Sequence, residues 1–320
     1  MASKPLRFHP EAQTEYLRSL RWYRQRSPIA ARNFERAIAS FSDAGSTPAA
    51  STIPNWEFRR GHSCLAILKA RPFLDTFADN IHVKAAALTL ADIAQLSVYL
   101  RKLNTETRCM EDVAAHSCRY LYENLLQDEG SPACALVRFF VTHPYGQLPA
   151  ELQAFARSVL RDIEPSPAMR CLTLLGTAGE MPQWNSRQTS RGHKTIPLHS
   201  EKFVTAFPMI SNLLNQLGLE IERVVHPSAD FFREQGGRSF NVFHVPSALG
   251  SPLVPAQADF VVPYRIQSVL GFGGLLPSGD IFAVILFTKL CLSQDIAELF
   301  KPLSLSLKLA VMEHAQQVFA

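Results

Sequence analysis

The chain has 320 residues, of which 47% are hydrophobic and 19% are charged, and its formal net charge is +4. This composition excludes an intrinsically disordered chain, and the length is enough to bury a core in one or two domains. Eight of the 32 Lys and Arg residues lie in the first 36 positions, so the positive excess is local. This distribution argues against a nucleic-acid groove along the rest of the chain.

The apolar runs and the cysteines favour a cytoplasmic protein with no membrane partner. The longest apolar run, Ile281 to Phe287, is too short to cross a bilayer, and no signal peptide opens the sequence. The cysteines are far apart and form no CxxC pair; they are Cys64, Cys109, Cys118, Cys134, Cys171 and Cys291. We interpret them as reduced thiols, most of them buried.

The first 84 residues divide into a predicted helical hairpin and a linker region. Residues 6–41 contain two helical patterns separated at Ser27-Pro28, where Pro28 suits the first turn of the second helix. Residues 43–55 are small, polar and interrupted by proline, as in a linker. Residues 56–80 contain a possible short strand at Cys64–Leu68. We therefore predict a hairpin domain at 1–42, a linker and unclassified segment at 43–84, and a larger domain at 85–320.

The larger domain alternates helical and strand patterns. Apolar spacing predicts two helices between Ala85 and Gln127, and compact apolar runs predict strands at 133–143 and 169–179 with a helix between them. The spacing in 203–225 predicts one further helix, and an alternating strand follows around His244. This mixture predicts an α+β fold, with flanking helices on a central antiparallel sheet.

The end of the domain predicts a β-hairpin closed by a helix. Pro277, Ser278 and Gly279 form a turn signal between the apolar runs Ser268–Gly274 and Asp280–Lys289. Apolar residues at helical spacing then predict a helix over 296–319 that packs on the sheet. The hairpin and this helix should enclose a small pocket.

A polar loop after the second buried strand carries four candidate ligand-binding residues: Trp184, Asn185, Arg187 and His193. Trp184 could stack on a ligand while Arg187 binds an acidic group through its planar fork. The alternative is that Arg187 pairs with a nearby carboxylate and Trp184 fills the edge of the domain. Because loops often carry function, the ligand-binding interpretation stays open beside the structural one.

Two further residues, His244 and Arg265, complete the set of predicted ligand-binding residues. His244 could point into a cavity from its strand, but a lone histidine is more often a hydrogen-bonded structural residue. His116 and Cys118 are two positions apart on a predicted helix and do not share a face, so we predict no metal site. No GxSxG or HExxH motif is present, no cofactor is selected, and we favour a non-catalytic role.

Five runs between about residues 110 and 310 resemble the GAF-type sensory domains of bacterial signalling proteins. These runs are CALVRFFVTHPYGQLPAELQAFA, CLTLLGTAGEMPQWNSR, RGHKTIPL, NVFHVPSALGSPLVPAQADFVVPY and SVLGFGGLLPSGDIFAVILF. The resemblance implies a GAF-like sheet that senses a small-molecule ligand or regulates a signalling effector protein. It also implies a homodimer formed through the terminal helices, with no effector attached to this chain.

The N-terminal hairpin separately resembles the start of RelE/ParE-type toxins. The matching positions are Phe8, Pro10, Ala12, Glu15, Trp22, Tyr23, Pro28, Ala31, Phe34 and Ile38. A complete toxin of this type continues into a three-stranded sheet, whereas this sequence turns into the linker at 43–55. We therefore expect a fragment, and the alternative function is a toxin-related protein that acts through this hairpin on nucleic acid or an antitoxin.

Overall fold

The computed structural model describes residues 82–190, 192–226 and 241–320, apart from the side chain of residue 104. The predicted hairpin at 6–41, the linker at 43–55 and the possible strand Cys64–Leu68 lie outside these residues, so the domain boundaries at 42 and 84 stay predictions. In the described part of the chain, no helix combines the length and apolar character needed to span a membrane.

A six-stranded antiparallel sheet lies at the centre of the described chain. Its strands are β3 (Cys134–Pro144), β4 (Arg170–Gly179), β5 (Thr195–Pro197), β6 (Asn241–Val245), β7 (Ser268–Leu275) and β8 (Ile281–Thr288). Their order across the sheet is β5-β4-β3-β8-β7-β6, and every neighbouring pair is antiparallel. A separate parallel pair joins β1 (Val83–Lys84) to β2 (Leu125–Leu126). The predicted α+β class with an antiparallel sheet is confirmed.

The hairpin predicted from the Pro-Ser-Gly turn is formed by β7 and β8. Leu275 pairs with Ile281 at its closed end, and the amide of Gly279 donates to the carbonyl of Leu276 over 2.9 Å. Gly279 has a φ of 81°, which glycine adopts without the steric cost of a side chain. The turn chemistry of the sequence therefore fixes the register of this strand pair.

Eight α-helices surround the sheet in the described residues. They are α1 (Leu90–Glu106), α2 (Met110–Asn124), α3 (Ala150–Leu160), α4 (Glu201–Thr205), α5 (Pro208–Gln216), α6 (Ile221–Val225), α7 (Gln294–Glu298) and α8 (Lys301–Met312). The two helices predicted before the sheet are α1 and α2, and the helix predicted between the first two long strands is α3. Ser200 and Ser293 accept backbone hydrogen bonds at the N-termini of α4 and α7, which satisfies donors that helix geometry leaves free.

Two predicted helices are interrupted in the structure. The segment 203–225 forms three short helices, because Pro208 begins a new helix and Gly218, with a φ of 77°, ends the turn that follows α5. The segment 296–319 divides into α7 and α8, and Pro302 lies in the first turn of α8. After Met312 the chain turns and leaves the helix, so residues 313–320 form a separate segment, here called the C-terminal segment.

The sheet is buried on both faces. On one face, here called the helical face, α1, α2 and α8 pack against Phe139, Phe272 and Phe282. On the other, here called the mixed face, the short helices α4, α5 and α6 and the connection 246–267 pack against Phe140 and Phe243. Near-continuous burial along β3, β7 and β8 explains why these strands are apolar rather than alternating.

Helix α2 lies against the backbone of β4 at Gly176. A side-chain methyl group at this position would overlap the backbone carbonyl of Ala114 in α2. Because backbone cannot move aside as a flexible side chain can, only glycine permits this approach. The closeness of α2 and β4 matters for the site described below, since α2 carries Glu111 and β4 leads into the polar loop.

The substitution Gly176→Ala should destabilise the protein by about 1–3 kcal/mol or more, because it overpacks the contact with α2. Gly192→Ala is the matched control, since its added methyl group meets no atom within 4 Å. Urea unfolding followed by circular dichroism measures both free energies. Equal stability of the two variants would contradict the contact between Gly176 and Ala114.

The C-terminal segment is held against the start of α2. The amides of Met110 and Glu111 donate to the carbonyls of Gln317 and Val318, each over 2.9 Å. Amides in the first turn of a helix have no partner within the helix, so the segment satisfies two of them. The ring of Phe319 lies 5.8 Å from the ring of His143, which is 4% exposed.

The stability of the fold should depend on pH through His143. Burial, opposed by Asp280 and assisted by Arg170, lowers the pKa of His143 from 6.5 to about 4. Between these values the unfolded chain binds a proton that the folded chain does not, so the free energy of unfolding falls as the pH falls from 6.5 to 4.

The variant His143→Leu should remove up to about 1.4 kcal/mol per pH unit of this slope. The exposed His116→Leu serves as a control that keeps the slope. Urea unfolding at intervals across the window gives both slopes. A slope in His143→Leu equal to that of the unaltered protein would show that His143 does not titrate in this way.

Candidate functional site

Trp184 belongs to an aromatic cluster on the mixed face of the sheet. Its ring centroid lies 4.5 Å from that of Tyr264 and 5.6 Å from that of Phe260, and Phe260 in turn meets Phe287 of β8 edge to face. The carbonyl of Trp184 accepts a hydrogen bond of 2.8 Å from the hydroxyl of Thr177 in β4. The polar loop, residues 180–193, is therefore joined to the connection 246–267 through tilted and edge-to-face ring contacts.

Asn185 fixes the start of the polar loop. Its side-chain amide donates to the carbonyls of Gly179 and Met181 at 3.0 and 3.2 Å, and its side-chain oxygen accepts from the amide of Gly179 at 3.0 Å. These bonds use both ends of the side-chain amide, so Asn185 shapes the loop itself. Local hydrogen bonding of this kind is the usual role of asparagine in turns.

Arg187 connects the polar loop to two helices and to the C-terminal segment. Its Nε and Nη2 donate to the two carboxylate oxygens of Glu111 in α2 at 2.8 and 3.1 Å. Its Nη1 donates to Glu151 in α3 at 2.8 Å, and its guanidinium lies 5.7 Å from the ring centroid of Phe319. The ion pair that the sequence offered as an alternative role for Arg187 is present, in the two-pronged geometry that arginine favours.

The electrostatics of this group stabilise the charged form of Arg187. Burial opposes the charge, but the hydrogen bonds and charges of Glu111 and Glu151 hold the pKa of Arg187 above its usual range. The Arg187 and Glu111 side chains keep only 9% and 16% of their surface exposed. An ion pair this poorly hydrated is costly to open, because each charge would then lie buried without a partner.

His193 lies at the far end of the polar loop, near a buried arginine of the sheet. It is exposed and has a φ of 58°, a conformation that is uncommon for a residue with a side chain. Although His193 keeps an exposed surface, desolvation by the chain around its ring and the positive charge of Arg138 both lower the pKa of His193. Arg138, in β3, donates from Nη2 to the hydroxyl of Ser190 over 3.3 Å.

His244 and Arg265 are not brought together with the loop residues. His244 is buried, and its Nδ1 lies 2.9 Å from the side-chain oxygen of Gln294 at the start of α7. Its neighbours Phe243 and Val245 belong to the mixed face, so strand alternation directs His244 to the opposite, helical face. Arg265 is exposed and follows Tyr264 of the aromatic cluster, with a φ of 54°.

The described residues offer no metal site, and the strand cysteines Cys134 and Cys171 are buried. Three or more His, Cys, Asp or Glu side chains do not come together at metal-binding distance anywhere within 82–190, 192–226 and 241–320. Burial raises the pKa of Cys134 and Cys171 to about 12, so these thiols remain protonated at neutral pH. The interpretation of the strand cysteines as core residues is consistent with this burial.

An open depression of about 540 Å³ lies at the end of β3 and β4. Its lining residues are Pro144, Gly146, Gln147, Pro167, Ala168 and Arg170. Arg170 forms an ion pair with Asp280 in the turn before β8, and Asp280 also accepts from Ser278 over 2.6 Å. The arginine at this depression is thus already matched by a carboxylate.

The structure adds residues to the site that were absent from the predicted set. Ser190 and the rings of Phe260 and Tyr264 surround the predicted loop residues, and Arg138 lies beneath them. One signal of Arg138 was visible in the sequence, since it is the only charged residue in the apolar run CALVRFFVTH. The aromatic neighbours come from a connection 70 or more positions away and carried no local pattern.

Comparison with solved structures gives a neighbour of low structural similarity. No model of a known protein family matches the chain, and no curated protein matches it. The chain superposes on the X-ray structure of free methionine-R-sulfoxide reductase from Neisseria meningitidis in complex with its substrate, with a TM-score of 0.39 and 10% sequence identity. The superposition covers 74% of this chain and 98% of that chain. A likeness of this size carries no argument about activity.

Proposed function

We propose that the described chain is a non-catalytic, GAF-like regulatory module that senses a small molecule on the mixed face of its sheet. In this proposal the polar loop covers the ligand, and its position is transmitted to the C-terminal segment. The observation that carries the proposal is the set of contacts made by Arg187, since one side chain of the loop bonds Glu111 and lies against Phe319.

The contacts of Arg187 give the loop and the segment a shared set of partners. Glu111 accepts from Arg187 through its carboxylate, while its amide donates to Val318 and its Oε2 accepts from the amide of Ala320 over 3.4 Å. A displacement of Arg187 therefore removes a partner from Glu111 and a cation from the ring of Phe319. Both changes weaken the hold on the C-terminal segment.

A two-state arrangement is sufficient for such a module. In one state Arg187 is bound to Glu111 and the C-terminal segment lies on α2; in the other the loop has moved and the segment is released. A ligand shifts the balance only by the difference between its affinities for the two states, so no catalytic group is required. The released segment would be recognised by a separate signalling effector protein or by a second copy of this chain.

The predicted site residues take different parts in this proposal. Trp184 and His193 would contact the ligand, because they lie at the two ends of the loop that covers the sheet face. Asn185 and Arg187 would position that loop through the bonds described above. Arg265 would act at the rim beside Tyr264, and His244 would act on the opposite face, where it contacts α7.

Substitution of Arg187 should loosen the C-terminal segment selectively. In Arg187→Gln, hydrogen exchange of the Met110 and Glu111 amides should accelerate by about tenfold or more, which is about 1.4 kcal/mol in opening free energy. The core amides of β7 and β8 serve as an internal reference for global unfolding. Nuclear magnetic resonance of the exchanging amides gives the rates residue by residue.

Arg157→Gln is the matched control for this experiment. The guanidinium of Arg157 lies over the ring of Tyr145 at 6.0 Å, so the control also removes a contact between a cation and an aromatic ring, but away from the polar loop. It should leave the Met110 and Glu111 rates unchanged. Equal acceleration in both variants, or none in Arg187→Gln, would overturn the proposed transmission.

A further inference from the structure

The side chain of Arg138 occupies the middle of the mixed face. Its backbone pairs with Thr177 in β4 on one side and with Ile285 in β8 on the other. Val137 and Phe139, its neighbours in β3, belong to the helical face, so alternation directs Arg138 to the mixed face with Phe140. A guanidinium thus emerges from the central strands of a largely apolar sheet.

The charge of Arg138 has no acidic partner among the described residues. Its Nη2 bonds the Ser190 hydroxyl at 3.3 Å, and its buried Nε has no hydrogen-bond acceptor. Two other half-buried arginines are paired, Arg170 with Asp280 and Arg187 with Glu111 and Glu151. Arg101 of α1, on the helical side of the sheet, shares with Arg138 a buried Nε that has no acceptor. An unpaired buried charge costs several kcal/mol and persists where something other than stability requires it.

The free edge of Arg138 matches one class of ligand. Its Nε and Nη2 lie along the side of the guanidinium that receives a carboxylate in the parallel, two-bond geometry. Burial lowers the pKa of Arg138 to about 10, so the group is charged at neutral pH. A single positive charge is neutralised by a single negative one, which favours a monoanion.

The surroundings of Arg138 argue against a dianionic phosphate. In the described chain, the Nζ of Lys194 donates to the carbonyl of Gln188 at 2.9 Å, whereas the Ser190 hydroxyl is bonded by Arg138. Desolvation and the charge of Arg138 lower the pKa of His193, which favours its neutral form. Thr177, which pairs with Arg138 across the strands, bonds the carbonyl of Trp184, so the backbone of Trp184 lies beside the strand position that neighbours Arg138.

We propose that Arg138 is the acid-binding residue of a site for a small monocarboxylate with an apolar or aromatic body. The carboxylate bonds Nε and Nη2 of Arg138 and takes the place of Ser190, while the body of the ligand packs among the rings of Trp184 and Tyr264. This assignment rests on the proposed function, because the acid reaches Arg138 when the polar loop moves away from it. Loss of the Ser190 bond is then the first event of the loop displacement.

Benzoate is the probe for this site, with phenylacetate and butyrate as further monocarboxylates. Isothermal titration of the full chain should show saturable binding of at least one of these acids. Benzamide, which has the same shape without the charge, and inorganic phosphate should bind at least about tenfold more weakly, a difference of about 1.4 kcal/mol. Absence of binding by all three acids would overturn the proposal, as would equal binding of benzamide.

The variant Arg138→Met tests whether Arg138 binds the carboxylate. Acid binding should weaken by about tenfold or more, a loss of about 1.4 kcal/mol. Its melting temperature should equal or exceed that of the unaltered protein, because an unpaired charge is replaced by an apolar side chain. Arg119→Met is the matched control, since Arg119 is an exposed arginine of α2 that takes no part in the proposed site. Acid binding retained in Arg138→Met, or lost equally in Arg119→Met, would overturn the assignment.

The carboxylate site and the regulatory proposal fail in different ways. If benzoate binds through Arg138 but the exchange rates of the Met110 and Glu111 amides do not change with benzoate, the site stands and the transmission is wrong. If no acid binds while Arg187→Gln still accelerates those amides, the transmission stands and the carboxylate assignment is wrong. Arg138→Lys, which keeps the charge but cannot form the two-bond geometry, should bind acids with intermediate affinity.

Discussion

The unpaired charge of Arg138 is the constraint around which the mixed face of the sheet is organised. Strands β3, β7 and β8 are buried almost throughout, and within that apolar surface a guanidinium keeps a free Nε. A hydroxyl of the polar loop bonds its Nη2, and desolvation together with its charge lowers the pKa of His193. Its free Nε is the group that we propose binds an anion. The polar loop covers this charge. In the function that we propose, this loop is the part of the molecule that takes two positions.

The polar loop also joins two parts of the fold that the sheet would otherwise separate. Trp184 packs with the mixed face, whereas Arg187 pairs with Glu111 of α2, a helix of the helical face. Helix α2 is itself held tightly to β4, because Gly176 admits no side chain. Through Arg187, the polar loop therefore contacts the firmly held helix α2 on one side and the C-terminal segment on the other. In the function that we propose, this arrangement would transmit a displacement of the loop without large changes in the core.

Much of the fold was predictable, because local chemistry determined it. The turn at Gly279 and the apolar runs of β3, β4 and β8 are visible in the sequence. The helices predicted over 203–225 and 296–319 were continuous, although Pro208 and Pro302 were signals of the breaks that the structure shows. The three-residue strand β5 has too few residues for a pattern. The pairing of Arg187 with Glu111 joins residues 76 positions apart, and the missing partner of Arg138 is a property of the folded arrangement alone.

The most direct measurement concerns the Nε–H group of Arg138. In the chain labelled with ¹⁵N-arginine, the Nε–H signal that disappears in Arg138→Lys belongs to this group. Benzoate should move this signal saturably toward the position of a hydrogen-bonded guanidinium, while the Arg170 signal should stay in place because Arg170 is already paired with Asp280. An Arg138 signal that does not respond to any monocarboxylate would show that Arg138 is not the acid-binding residue.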